Sequence, residues 1–186
     1  MNTVQPIRDL EKLEELKEEL KKKGTRDYML FLTGLNSGIR VSDVVKLNRD
    51  DVRDENGNIK THITIIEKKT KKVKKFPLCN NLLVEIEKYT RNMPQGEFLF
   101  KSRNGENKPI TTTQAYRIIV ESAERVGLKN IGTHTMRKTF GYHHYKQYKD
   151  VALLQTIFNH SSPSITLKYI GISQDEIDIS YQNFSL

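Results

Sequence analysis

The stretch HTMRKTFGYHHYKQYKDVALLQTIFNHSSPSITLKYIG, residues 134–171, decides how this chain is read. It sets His134 and Arg137 three positions apart and places Tyr169 nine positions beyond His160. A spacing of three brings two side chains onto one side of a helix. Residues 134–148 read as one helix and residues 151–159 as the next, with Asp150 as its cap. Ser162-Pro163 then opens a short helix that carries Tyr169 and is interrupted at Gly171. Singly, an H-x-x-R pair or a tyrosine in a short helix says little. Their meaning depends on what stands upstream.

Upstream, Leu10, Leu13, Leu16 and Leu20 recur at helical spacing between Pro6 and Gly24, which predicts an amphipathic helix over 7–23 with outer pairs Glu18/Lys22 and Glu19/Lys23. DYMLFLTGL, residues 27–35, is apolar almost all round and reads as a buried helix broken at Asn36-Ser37-Gly38. Ser42 is expected to cap a short helix ending near Leu47, and Arg40 lies at its entrance in GIRVSD. Residues 60–66 and 73–78 are β-rich and flank the lysine run EKKTKKVKK, so a small hairpin tipped with lysine is expected. Helical patterns follow at 80–92 and at 111–126, with caps among Thr111 to Thr113 and a stop at Gly127. A last amphipathic stretch, 174–184, carries Ile177, Ile179, Tyr181 and Phe184. The fold class is therefore mainly α with a small antiparallel β-sheet (α+β), in one unit without repeats or low-complexity linkers.

The 186 residues suit one domain with a real core. Lysine and arginine number 31 against 23 aspartates and glutamates, a net +8 that points to a polyanion partner. Residues 1–24 are neutral overall, and the excess crowds into Lys68, Lys69, Lys71, Lys72, Lys74 and Lys75, opposed only by Glu67. A single cysteine, Cys79, excludes an internal disulfide and a multi-cysteine zinc site, and it is expected to behave as a small hydrophobe. With no apolar segment behind a basic start and no run long enough for a membrane span, the expected location is the cytoplasm.

Four separated pieces thus hold groups that a phosphate would want: Arg40, the lysine turn, His134 with Arg137, and His160 followed by Tyr169. In this order they resemble the catalytic domain of the tyrosine recombinase family, the phage integrases and Xer-type recombinases, from about Thr25 to Tyr169. G-I-R-V-S-D supplies Arg40 and Asp43, a K-T turn eight residues before Pro77 supplies Lys69, H-T-M-R supplies His134 and Arg137, and N-H-S-S with a downstream tyrosine supplies His160 and Tyr169. Two departures stand out: Asn159 where the family commonly has glycine, and Met136 where it usually has leucine. The resemblance implies a leading helix at 1–24, a catalytic core at 25–169 and a tail at 170–186. Relatives usually place a DNA-grasping N-terminal domain ahead of the core, and that domain is expected to be absent here.

The chemistry explains the residue types. Displacement at a phosphodiester piles charge on the non-bridging oxygens, and the planar, permanently charged guanidinium groups of Arg40 and Arg137 suit them. Tyr169 is the expected nucleophile, forming a covalent 3′-phosphotyrosine that stores the bond energy, so no cofactor is implied. By resemblance Lys69 delivers a proton to the departing 5′-oxygen, with Lys68, Lys71 or Lys72 as fallbacks. His134 is an acid/base or orienting group and His160 a donor to a non-bridging oxygen. Asp43 is expected to buttress Arg40 or His134, and no metal is implied. Lys68, Lys71, Lys72, Lys74 and Lys75 are the expected DNA contacts. His62 reads as a strand-surface residue, and His143 and His144 as support for the site. The implied partners are double-stranded DNA and, through the tail at 174–184, a second copy of the chain. The expected activity is site-specific recombination, with a non-catalytic DNA-binding regulator and a type IB topoisomerase as rivals.

Overall fold

We describe a computed structural model of the chain, covering residues 4–172 and 181–185. The leucine spacing produces α1 (Leu10–Lys23), capped by the Asp9 carboxylate on the amides of Glu11 and Lys12. Leu13, Leu16 and Leu20 are buried, whereas Leu10, on the first turn, is exposed. The helix is thus shorter at its front than expected, because residues 4–8 run as an extended strap across the later helices. The Ile7 amide donates to Thr139 Oγ1 at 2.9 Å, Lys138 Nζ to the Val4 carbonyl at 2.8 Å, and Arg8 Nη2 to the Gly171 carbonyl at 3.0 Å.

The pairs expected on the outer face of α1 are replaced by others. Lys21 bridges to Glu18 at 2.6 Å, while Glu19 and Lys23 reach across to Arg125 and Glu121 of a neighbouring helix.

α2 (Thr25–Ser37) is the apolar helix of the core and ends at Gly38, whose φ of 60° is left-handed. α3 (Val41–Val44) and α4 (Arg49–Val52) follow. Arg40, not Ser42, occupies the cap position of α3, and Ser42 lies inside the helix, so the expected serine cap is not made. The hairpin forms as β1 (His62–Ile66) and β2 (Val73–Pro77), antiparallel, with His62 opposite Pro77 and Ile66 opposite Val73. α5 (Asn80–Thr90) and α6 (Thr112–Arg125) come next, the latter with a Thr111–Gln114 capping box. Cys79, read as a small hydrophobe, sits at the entrance of α5 and is exposed.

α7 (Thr135–Tyr148), α8 (Val151–Phe158) and α9 (Pro163–Ile170) complete the chain's described elements. The main core gathers α1, α2, α5 and α6 around Phe31 and Phe100, and Met136 brings α7 onto it. A smaller cluster of Leu154, Phe158 and Ile170 locks α8 and α9 against Phe140 of α7. The approach is close: a Cβ on Gly141 would lie 2.7 Å from both Phe158 and Ile170. This contact fixes where Tyr169 stands.

The amphipathic stretch expected at 174–184 falls largely outside the described residues; of its apolar side chains, Tyr181 and Phe184 are described and both are exposed. Among the described residues no helix is long and apolar enough to cross a membrane, and no group of three His, Cys, Asp or Glu side chains could hold a metal ion.

Candidate active site

Five of the residues singled out by sequence converge. His134 holds the cap position of α7, and Arg137 lies one turn into that helix. His160 leaves α8 beyond Asn159, Tyr169 comes from α9, and Arg40 enters α3. His134 Nδ1 lies 3.1 Å from the Tyr169 hydroxyl. The His160 ring stands edge-on to the Tyr169 ring, with centroids 5.1 Å apart.

Arg137 is 3% exposed and rigidly held. Its Nη1 donates to the Gly38 carbonyl at 2.6 Å and its Nη2 to the Phe158 carbonyl at 2.8 Å, while the guanidinium lies 4.3 Å from the centroid of the Phe158 ring. Arg40 Nη1 pairs with Glu67 Oε1 at 2.8 Å. Glu67, 2% exposed, also accepts from Thr70 Oγ1 at 2.6 Å, so the hairpin turn is bound directly to this arginine.

Glu67 thus fills the place expected of Asp43. Asp43 Oδ1 instead accepts the Lys68 amide at 2.9 Å and buttresses the turn of the hairpin, not Arg40 or His134. The reason is reach: Asp43 points toward the strand end, and the nearer carboxylate takes the guanidinium.

The lysines divide. Lys69 stands exposed in the turn, where its charge reaches His134. Lys68, Lys71 and Lys75 are exposed. Lys74 departs from the expected set of outward DNA contacts because it shares the inner face of β2 with Phe76, and its Nζ donates to the Ile157 carbonyl at 2.7 Å. Lys72 Nζ likewise turns back, to Asn159 Oδ1 at 3.1 Å.

Electrostatics follow from this crowding. Burial pushes the Tyr169 phenol up, against the pull of Arg137 and Arg40. Burial also lowers His134, helped by Arg137 and Lys138, and brings His160 down to about 4 with Arg137 and Arg40 contributing. Both imidazoles are therefore neutral at pH 7. A neutral His134 can accept a proton at Nδ1, the atom that faces the phenol. His160 Nδ1 is engaged by Thr166 Oγ1 at 3.1 Å, which leaves Nε2 as its other functional nitrogen.

The sequence profile of the phage integrase family matches residues 8–176, nearly the whole of this arrangement. The chain belongs to the phage integrase family. It is 50% identical over 184 residues to the probable integrase/recombinase YoeC of Bacillus subtilis (strain 168), covering 99% of this chain and 98% of that protein. It is 26% identical over 178 residues to the tyrosine recombinase XerA of Pyrococcus furiosus, covering 95% of this chain and 60% of that protein. Among solved structures, that of XerA recombinase superposes with a TM-score of 0.76 at 19% identity, over 97% of this chain and 63% of that one. The chain therefore spans about three fifths of these XerA relatives.

The two departures of this phage integrase from its family's pattern have local explanations. Asn159 adopts φ 53°, ψ 47°, the left-handed region that glycine enters freely and asparagine tolerates best among the other residues. Met136 packs its sulfur against α2 at Gly34, where a long unbranched side chain fills the gap. Glu67 and Thr166 were not singled out for the site from sequence, and Lys74 was expected as an outward DNA contact rather than an inward tie. For Lys74 the signal was present: Lys74, Phe76 and Leu78 alternate, and the two apolar members are buried.

Proposed function

We propose that this member of the phage integrase family cuts and rejoins double-stranded DNA at specific sites by transesterification through Tyr169. The observation that carries the reading is the half-buried Tyr169 phenol, which lies within the field of Arg137 and 3.1 Å from His134 Nδ1. In this reading the phenol oxygen attacks phosphorus, His134 takes its proton, and a 3′-phosphotyrosine forms as the bond to the 5′-oxygen breaks. Lys69 protonates that leaving oxygen. Attack by an incoming 5′-hydroxyl reverses the steps and releases the enzyme. Arg40 and Arg137 neutralise the non-bridging oxygens, and their anchoring on Glu67 and on two carbonyls supports a site organised before DNA arrives. His160 can donate from both nitrogens only as an imidazolium, a state that a bound phosphate favours.

Lys68, Lys71 and Lys75 are read as contacts to the DNA backbone, and Asp43 as the support of the hairpin that carries Lys69. Self-association on DNA through the tail completes the reading. The exposure of Tyr181 and Phe184 supports a tail that covers its apolar side chains on a second copy of the chain. In this reading the protein works in the cytoplasm, where its DNA substrate is met.

The test is a nicked suicide duplex chosen by binding selection with this protein from a random-sequence pool. Wild type is expected to give a protein–DNA adduct that survives SDS, linked at the 3′ side. Binding without any adduct would leave a regulator, and relaxation of supercoiled plasmid without paired sites would point to a topoisomerase.

A further inference from the structure

The last turn of α8 is held in an unusual way. A helix C-terminus carries a partial negative charge and leaves carbonyls without helical partners. Here the Gln155 and Thr156 carbonyls take the amides of His160 and Asn159, each at 3.1 Å. The next carbonyl, Ile157, takes Lys74 Nζ at 2.7 Å, and the one after it, Phe158, takes Arg137 Nη2 at 2.8 Å. Lys72 adds a bond to the Asn159 side chain at 3.1 Å. Two cations from different parts of the chain thus occupy successive carbonyls immediately before His160.

We propose that Lys74 is a positioning residue that latches the β1–β2 hairpin onto the end of α8, so that the lysine turn, Arg137 and His160 meet the scissile phosphate as one rigid set. The inference rests on the DNA-cleavage reading above and assigns Lys74 no contact with the reacting atoms. Strand alternation carries it: Lys75, the next residue, points to solvent, while Lys74 lies on the inner face with Phe76. The hairpin is then tied at four places, through Glu67 to Arg40, through the Lys68 amide to Asp43, through Lys72 to the Asn159 side chain and through Lys74 to Ile157. Lys74 is the tie that holds strand β2 itself, and without it the turn that carries Lys69 would be freer to shift against the end of α8.

The charged groups facing Lys74 are Arg137 from α7, Arg40 and Asp43 from α3 and its entrance, and Glu67 from the turn; α8 presents the Ile157 carbonyl. Burial, then Arg137 and Arg40, bring the ammonium down to about 8 against the opposing pull of Glu67 and Asp43. The latch is therefore strongest below pH 8 and weakens as the ammonium is lost above it. An arginine at the same place keeps its charge throughout that range.

The experiment compares the full-length wild type with Lys74→Met, Lys74→Arg and Lys75→Met. Adduct formation is followed at saturating protein on the selected nicked duplex, and binding is measured separately. Lys74→Met is expected to lower the cleavage rate by about tenfold or more, equivalent to roughly 1.4 kcal/mol, with DNA affinity nearly unchanged, and Lys74→Arg is expected to restore most of the rate. Lys75→Met, on the outward face of the same strand, should weaken binding instead.

Amide exchange reads the latch without any cleavage. Protection of the Asn159 and His160 amides in free wild type should fall as pH rises through 8 and persist in Lys74→Arg. If wild type forms no adduct while this exchange pattern holds, the function reading fails and the latch stands. Unchanged exchange across pH 8, or a Lys74→Met variant that loses affinity but cleaves at the wild-type rate when saturated, overturns the latch. Should Lys74→Met fail to fold, the pH series on wild type and Lys74→Arg still decides.

Discussion

His134 Nδ1 and the Tyr169 hydroxyl lie 3.1 Å apart although 35 residues of chain separate them. The imidazole is neutral and the phenol is protonated, so the tautomer with its proton on Nε2 can accept the phenol's hydrogen at Nδ1. Tyr169→Phe removes that hydroxyl and little else. The variant is expected to shift the selected duplex as wild type does, to form no SDS-stable adduct, and to change stability by about 1 kcal/mol. An adduct that persists in this variant would place the nucleophile elsewhere.

Stability should fall on the acid side for a reason written into the site. His160 is held down to about 4, and His134 and His144 are also below their ordinary value. In the unfolded chain these rings protonate near 6.5. Between about pH 6.5 and 4 the unfolded state therefore binds more protons than the folded one, and stability rises with pH across that window. Denaturant midpoints measured from pH 7 down to 4 should decline, and His160→Asn should flatten the decline.

Gly141 is a second point of leverage. A methyl group there would press on Phe158 and Ile170, the residues that seat α8 and α9. Gly141→Ala is expected to cost about 1–3 kcal/mol, as overpacking of a tight contact does. Thermal melting checks the cost. Cleavage should drop beyond the loss of folded protein, since Tyr169 adjoins Ile170.

The outward lysines predict a salt signature. Each phosphate contact contributes about −0.9 to the slope of log K against log salt. Lys68→Glu combined with Lys75→Glu is expected to flatten that slope by about two such contacts. An unchanged slope would remove this side of the hairpin from the DNA interface.

Much of this arrangement was legible in the chain itself. The leucines of α1, the apolar run of α2 and the caps at Thr111, Asp150 and Ser162 all read directly as helices. The five converging side chains were recognisable as an ordered set because each stands in a short motif. What could not be read was the partnering between motifs. Glu67 and Asp43 are both carboxylates within reach of the site, and only the path of the hairpin decides that Glu67 takes Arg40 while Asp43 takes the Lys68 amide. Lys72 and Lys74 looked like members of a solvated run until strand register turned Lys74 inward. The end of the strap, residues 7 and 8, was read as helix, because nothing local in the sequence marks a segment whose hydrogen bonds go to residues more than 120 positions away.

The close seating of α9 against Gly141 and Phe158 has a consequence for how the protein is made. A chain leaves the ribosome from its N-terminus at about 5–20 residues per second, so both arginines, the lysine hairpin and both histidines emerge before Tyr169. On the proposed reading, a product that ends before Tyr169 lacks the group with which the strand would be broken. The order of the residues along the polypeptide would then act as a safety catch, released when the last described helix is synthesised and docks.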